Sequence, residues 1–325
     1  MKKKIAIVFL VVVMVLFGRG IFYYTGLYSP PSSEMPSYGH IVVPFAPLGE
    51  FADNISVEEG GVLIDLAHDN NFDLAELNVL LARLVSRGLT IRLLGVEDDL
   101  GEELLGEERG KEDEEELIEA EEKADQSENV SDGENGGADP GEETLDEEEK
   151  ELPGTFIVVS PREEFSKEDK ETTVEFIDNG GKLLLIADPT RRSEINSLSL
   201  SFGLIFESDY LYNMWQNEIN YRNIFVREFT ENEVTKNLEK IALYTTGSIS
   251  SAGGGIAFVD WNTYSSVIET VKRLSPLTLT QDSRVLAVHD LTFMTEPYNG
   301  VLDNNQLISN IADWLASPFE EKAEQ

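Results

Sequence analysis

The chain has 325 residues, with 62 Asp and Glu against 25 Lys and Arg, a formal net charge of −37 that repels nucleic acid and anionic lipid headgroups. It has no cysteine, which excludes disulfides, thiolate metal sites and a cysteine nucleophile, and its three histidines (His40, His68, His289) are too few for a histidine-rich metal site. Hydrophobic residues make up 41%, enough for a sizeable core.

The N-terminus begins with Lys2, Lys3 and Lys4, and an uninterrupted apolar run follows from Ile5 to Gly18. Counted through to Tyr24 or Leu27, the segment reaches the roughly 20 residues that a bilayer span requires. Lysines stay on the cytoplasmic side, and Phe22, Tyr23 and Tyr24 fit an interfacial aromatic belt. The reading is an uncleaved signal anchor over 1–28, single-pass in the cell membrane, with the body extracytoplasmic. A cleaved signal peptide competes, but no A-x-A-like site follows the apolar run. A buried strand or helix is the third reading. Residues 29–59 form a tether, opening on the Pro/Ser-rich stretch 29–35. Within it, His40–Phe45 is a weak strand candidate.

An α/β pattern starts at Gly60-Gly61. Val62–Ala67 is a short apolar run read as a strand. Asp73 followed by Glu76 is a capping-box pattern, and Leu74, Leu77, Leu80, Leu81, Leu84 and Val85 recur at helical spacing until Gly88. Leu89–Leu94 is the next strand, so the stretch reads as a parallel crossover unit.

Between Glu97 and Glu151 the chain has 27 acidic residues against four basic ones, a balance of −23 that leaves −14 for the rest. With few aromatics and no sustained apolar period, 97–152 reads as a disordered acidic insert within one α/β domain spanning 60–317. The pattern then resumes. Thr155–Ser160 is a strand, Ser166 with Asp169 caps a helix, and Lys182–Ala187 is a strand apolar enough to be buried on both faces. Ile195–Phe202 reads as helical, and a strand starts at Gly203–Phe206. Residues 207–280 are less legible, with strands expected at Ile241–Tyr244 and Ile256–Val259. Arg284–Val288 is a last buried strand, Asp303 with Gln306 caps a final helix, and 318–325 is a charged tail. The expected fold is α/β, a doubly wound and mainly parallel sheet.

In such a sheet, ligands sit outside the carboxyl ends of the strands. Those ends carry Asp65, His68 and Asp69, then Ser160, then Asp188–Arg192, then His289-Asp290. Converging, three carboxylates and two imidazoles hold a hard cation or do acid/base work. Dispersed, each Asp caps a turn or helix. No G-x-G-x-x-G follows the first strand, no Walker A sequence occurs, and Ser160 before Pro161-Arg162 does not read as a nucleophile elbow.

The run Gly180-Gly181-Lys182-Leu183-Leu184-Leu185-Ile186-Ala187-Asp188-Pro189-Thr190 resembles the NGG-strand-DP segment of class I glutamine amidotransferase-like domains in a membrane-anchored prokaryotic family. Val285–Leu315 resembles their closing strand, Asp-bearing loop and helix, with Asp290, Asn299, Asn304 and Asn310 at matching polar positions. Members of the family are found near MoxR-type ATPases, and related domains accompany gliding-motility-type ABC transporters. Amidotransferase chemistry needs a cysteine nucleophile with a histidine partner, and this chain has no cysteine. The resemblance therefore implies the fold without the catalysis.

The expectation is a non-enzymatic, membrane-tethered binding or scaffold module, accessory to a membrane transport or MoxR-type ATPase system. Its partners are the bilayer, through the N-terminal helix, and a protein in the membrane or envelope. No cofactor, catalytic residue or metal ligand is assigned. The ligand-binding candidates are Asp65, His68, Asp188, His289, Asp290 and Asn299. The rival is a carboxylate-based or metal-dependent hydrolase using the strand-end acids Asp65, Asp188 and Asp290.

Overall fold

The computed structural model describes residues 2–24, 46, 51–53, 55–106, 152–269 and 273–317. Most of the tether, the candidate strand at 40–45, the insert from 107 to 151 and the tail from 318 lie outside the described residues. The chain forms two compact units, Met1–Val43 and Pro44–Gln325. The first contains helix α1 (Lys2–Tyr24), of 23 residues. Its side chains are described only for 9–19 and 21, and all of these are exposed. Among the described residues no helix is long and apolar enough to cross a membrane.

The second unit begins with β1 (Gly61–Asp65), α2 (Asn78–Ser86), β2 (Thr90–Leu94), α3 (Leu100–Leu105), β3 (Pro153–Val159), α4 (Lys167–Asp178) and β4 (Lys182–Ile186). A short helix α5 (Asn196–Ser199) leads into a strand-rich region of β5 (Ile205–Phe206), β6 (Leu211–Asn213), β7 (Asn217–Glu218), β8 (Asn220–Val226) and β9 (Glu228–Phe229). Then come β10 (Ile241–Tyr244), β11 (Ile249–Ser250), β12 (Gly255–Phe258), β13 (Thr263–Ser265), β14 (Leu277–Thr280), β15 (Val285–Val288) and α6 (Asn304–Ala316).

The eight-stranded central sheet runs β2-β1-β3-β4-β15-β14-β12-β9. Its first five strands are parallel to one another, and the last three join antiparallel. All five parallel strands are those the sequence marks, and the structure pairs the distant β15 with β4. Alternation along each strand decides the layers, because successive side chains point to opposite faces. Val62, Ile64, Ile157, Val159, Leu184, Ile186, Leu286 and Val288 face one layer, where Leu80 and Leu84 of α2 and Leu307, Ile308 and Ile311 of α6 cover them. Leu63, Phe156, Val158, Leu183, Leu185, Val285 and Ala287 face the other, under Leu100 and Leu104 of α3 and Phe176 and Ile177 of α4. Apolar burial on both faces explains why β4 reads as an unbroken apolar run.

Two of the three expected helix caps form, as capping boxes of Asp73 with Glu76 and Ser166 with Asp169. The first opens a single 3-10 turn over Leu74–Leu77 before α2 begins. Gly88 follows α2 at φ +91, and a Cβ there would strike the carbonyl of Glu58. Two local readings change. Residues 97–106, acidic by composition, carry the helix α3, capped by Asp99 and closed by Gly106 in the left-handed region. Leu100 and Leu104 bury against α4 and β3, so two apolar residues four apart outweigh the charge around them. Asp303 does not cap its own helix: its Oδ2 accepts the backbone N–H groups of Glu239 (2.8 Å) and Lys240 (2.7 Å).

Candidate functional site

The strand-end polar residues form two groups. The first lies at the ends of β1 and β3. Asp65, fully buried, accepts from the N–H of Ala67 (3.1 Å), from Nδ1 of His68 (2.9 Å) and from Nδ2 of Asn70 (3.0 Å). Asn70 also donates to the carbonyl of Val159 (3.0 Å), which ties β1 to β3. The His68 ring stacks on Phe165 at 3.7 Å and 15°, and its Nε2 lies 3.8 Å from Oδ2 of Asp169. Burial disfavours a charged ring here, but Asp169 and Asp65 outweigh it and hold the His68 pKa up at about 9. The same contact, against burial, holds Asp169 down at about 2. His68 is therefore a cation at neutral pH, committed to two carboxylates. Asp69, at φ +47, is exposed and pairs with Arg162 (2.8 Å).

The second group lies at the ends of β4 and β15. Asp188 accepts from the N–H (2.9 Å) and hydroxyl (2.5 Å) of Thr190, and its other oxygen faces the N–H of Leu291 (3.4 Å) and the hydroxyl of Thr292 (3.3 Å). Asp290 is fully buried and accepts the N–H of Tyr244 at 2.6 Å. Burial first, and the Asp188 charge second, push its pKa well above the ordinary carboxylate range. His289 donates from Nδ1 to the carbonyl of Ser248 (3.1 Å), since that oxygen can only accept. Burial holds its pKa at about 4, so this ring is neutral and Nε2 is left as an acceptor.

The two groups do not merge. Between β1 and β4 lies β3, so Asp65 and Asp188 stand two strand spacings apart, about 10 Å. Only Asp188 and Asp290 occupy adjacent strand ends. Among the described residues no group of three or more His, Asp or Glu is placed to hold a metal ion.

Asn299 stands apart from both groups, in a turn where its Nδ2 meets Oδ1 of Asn305 (3.3 Å). Asn304 clamps Ala242 through both its N–H (3.0 Å) and its carbonyl (2.9 Å). Asn310 donates to the carbonyls of Val234 (2.9 Å) and Lys236 (2.7 Å). These amides of the closing block hold loops together.

Ser160 is the residue the sequence understates. It ends β3 between the two groups, buried, at φ +41, and its Oγ has no hydrogen-bond partner. A left-handed serine at a strand end is the shape of an elbow, but a nucleophile needs a base within hydrogen-bond reach. His68 is already cationic, and neither imidazole bonds to Ser160. Nothing in Ser-Pro-Arg marks this backbone, since a residue before proline ordinarily stays extended. Asn70 and Asp169 were also hidden: Asp169 reads as a helix cap, and its contact with His68 exists only after β1 and α4 pack.

A cleft of about 560 Å3 opens beside the second group, walled by Asp188, Arg191, Arg192, Tyr210, Arg222 and His289 among others. A larger cavity of about 770 Å3, lined by Tyr212, Trp261 and Tyr264, includes none of the strand-end residues.

No family model and no curated protein matches the sequence. Among solved structures, the chain is similar to the mmIFT52 N-terminal domain, with a TM-score of 0.56 and 14% identity over 80% of this chain and 99% of that one. It is more distantly similar to alpha-L-fucosidase isoenzyme 2 from Paenibacillus thiaminolyticus, with a TM-score of 0.38 and 10% identity over 79% of this chain and 32% of that one. A thua-like protein from Parabacteroides merdae also gives 0.38 and 10%, over 82% of this chain and 93% of that one. The first likeness is one of fold; the other two are too loose to carry an argument.

Proposed function

We propose that the protein is a non-enzymatic binding or scaffold module of the class I glutamine amidotransferase-like kind. In this reading it is tethered to the cell membrane with its body extracytoplasmic, and serves as an accessory to a membrane transport or MoxR-type ATPase system. The observation that carries the binding role is how the strand-end acids are spent. Asp65 and Asp188 each accept from several local donors, and Asp290 is closed in by backbone N–H groups. Side chains used in this way hold turns in place, and Asp188 also lines the cleft. The two strand spacings between Asp65 and Asp188 weigh against the hydrolase reading. The tether rests on the sequence alone: three lysines precede an apolar run that, counted through to Tyr24 or Leu27, reaches the roughly 20 residues a bilayer span requires.

Two experiments test this. Protease added to intact cells digests the body if it is extracytoplasmic; a body protected alongside an intact cytoplasmic control sinks the topology. The full chain and its Asp188→Asn variant are assayed on ester, amide and glycoside substrates. A hydrolysis lost in Asp188→Asn, at unchanged melting temperature, overturns the non-enzymatic reading.

A further inference from the structure

The cleft at the ends of β4 and β15 is walled by three arginines, and two of them are committed. Arg191 is pinned to Glu76 and to the carbonyl of Asn71 (2.9 Å). Arg192 reaches out to Glu194 (3.1 Å). The third, Arg222 on β8, has no carboxylate partner among the described residues, and its buried Nε has no hydrogen-bond partner at all. The guanidinium is nonetheless fixed in place. Its Cζ stands 4.2 Å from the ring centroid of Tyr210 and 5.7 Å from that of Tyr221.

The acidic side chains of the same cleft are in the opposite condition. Asp209 accepts the N–H of Ser248 (2.8 Å) and the hydroxyls of Ser248 (2.9 Å) and Ser265 (2.5 Å). Glu207 accepts the hydroxyl of Ser250 (2.5 Å), and Asp188 is engaged by Thr190. The cleft thus offers donors in want of an acceptor and acceptors already filled. Thr245, which also lines it, is a β-branched residue at φ +57, and its N–H binds the carbonyl of Arg222 at 3.0 Å. Strain of this sort persists only where the surroundings impose it, and it gathers at ligand sites.

We propose that Arg222 is the anion-recognition point of this cleft, and that the cleft takes a small monocarboxylate with an apolar body. The planar fork of an arginine matches a carboxylate in a bidentate pair, with its two Nη groups meeting the ligand end-on while Nε stays beneath the tyrosines. Phe206, edge-on to His289 at 5.1 Å, and Tyr210 supply the apolar wall. A dianion such as phosphate is disfavoured, because Asp188, Glu207 and Asp209 stand in the same walls and one unpaired cation cannot offset them. The cleft volume falls in the range of small-molecule sites. This inference rests on the reading of the cleft as a binding site.

The test titrates the full chain in detergent with benzoate, benzamide and inorganic phosphate by calorimetry. Benzoate is expected to bind saturably, with benzamide and phosphate at least about tenfold weaker. Arg222→Gln is expected to weaken benzoate about tenfold or more, and Arg222→Lys less, with melting temperatures near wild type. If Arg222→Gln melts early, Arg222→Lys together with the benzamide comparison decides. No saturable benzoate binding by the folded wild type, unchanged binding in Arg222→Gln, or phosphate binding tighter than benzoate each overturns the proposal. Asp188→Asn in the same series separates the two readings: benzoate binding lost there but kept in Arg222→Gln leaves the cleft a binding site and removes Arg222 from it. A hydrolysis that depends on Asp188 removes the underlying reading whatever benzoate does.

Discussion

His68 joins the end of β1 to the first turn of α4 through one charged ring, and that contact is a measurable part of the fold's stability. Its pKa of about 9 stands above the ordinary 6.5, so the stabilisation is fully present below pH 6.5 and is lost as pH rises through about 9. At about 1.4 kcal/mol for each tenfold change, the full displacement corresponds to about 3 kcal/mol, and about 2 kcal/mol of it disappears between pH 6.5 and 8. The His68 side chain is 12% exposed and that of Asp169 28%, so solvent screening reduces the expected loss by pH 8 to about 1 kcal/mol. Two other groups titrate nearby. His289, held at about 4 by burial, gains the fold stability as pH rises toward 6.5. Lys182, lowered by burial to about 8, gains it above that pH. Comparing urea unfolding of wild type and His68→Gln at pH 6.5 and 8 cancels both, because each chain retains them. The wild type should lose about 1 kcal/mol more than the variant over this interval. Asp169→Asn adds a second check: its amide oxygen can still accept the N–H of Ser166, so the helix cap survives while the charge goes. By NMR, the His68 ring of that variant should titrate at least about one pH unit lower than in wild type. A wild-type ring titrating at or below 6.5, or equal pH slopes in wild type and His68→Gln, refutes the argument.

Four further outcomes are expected. Arg87 is fully buried and donates to Asp313 (2.8 Å), Asp53 (2.9 Å), Ser309 (2.9 Å) and the carbonyl of Arg83 (3.0 Å); Arg87→Leu, which leaves Asp313 with Lys236 and Asp53 with Ser309, should cost about 2–3 kcal/mol in urea unfolding. A Cβ on Gly247 would run into the His289 ring, so Gly247→Ala should break the bond from His289 to Ser248 and destabilise by about 1–3 kcal/mol, read from thermal melts and the shifted ring resonances. Replacing residues 107–151 with a short Gly/Ser linker should change stability by only about 1 kcal/mol. Leu104→Ala, just outside that segment, should cost about 2–4 kcal/mol, and the opposite ranking would misplace the border of the insert.

The parallel half of the sheet was legible because its strands carry their burial in their own letters. Gly61–Asp65 and Lys182–Ile186 are buried along their whole length, and continuous apolar runs flanked by capping boxes and glycines need no tertiary information to be recognised. Between 207 and 265 only the strands at 241–244 and 256–259 were legible, since two- and three-residue strands such as β11 and β13 are too short to show a period and exist only by pairing with distant partners. The candidate site divides in the same way. That Asp65, Asp188 and Asp290 lie on one edge follows from strand direction, which the sequence determines. Whether they converge depends on the order β1-β3-β4-β15, which inserts β3 between the first acid and the other two. The unpaired state of Arg222 likewise came from tertiary structure alone: the sequence marks no strand there, and only packing brings Tyr210, Thr245 and His289 around it while the cleft's carboxylates find donors of their own. Sequence decides which side chains face inward, because burial repeats at the period of the backbone; which of them meet is decided by contacts between residues too far apart in the chain for any period to record.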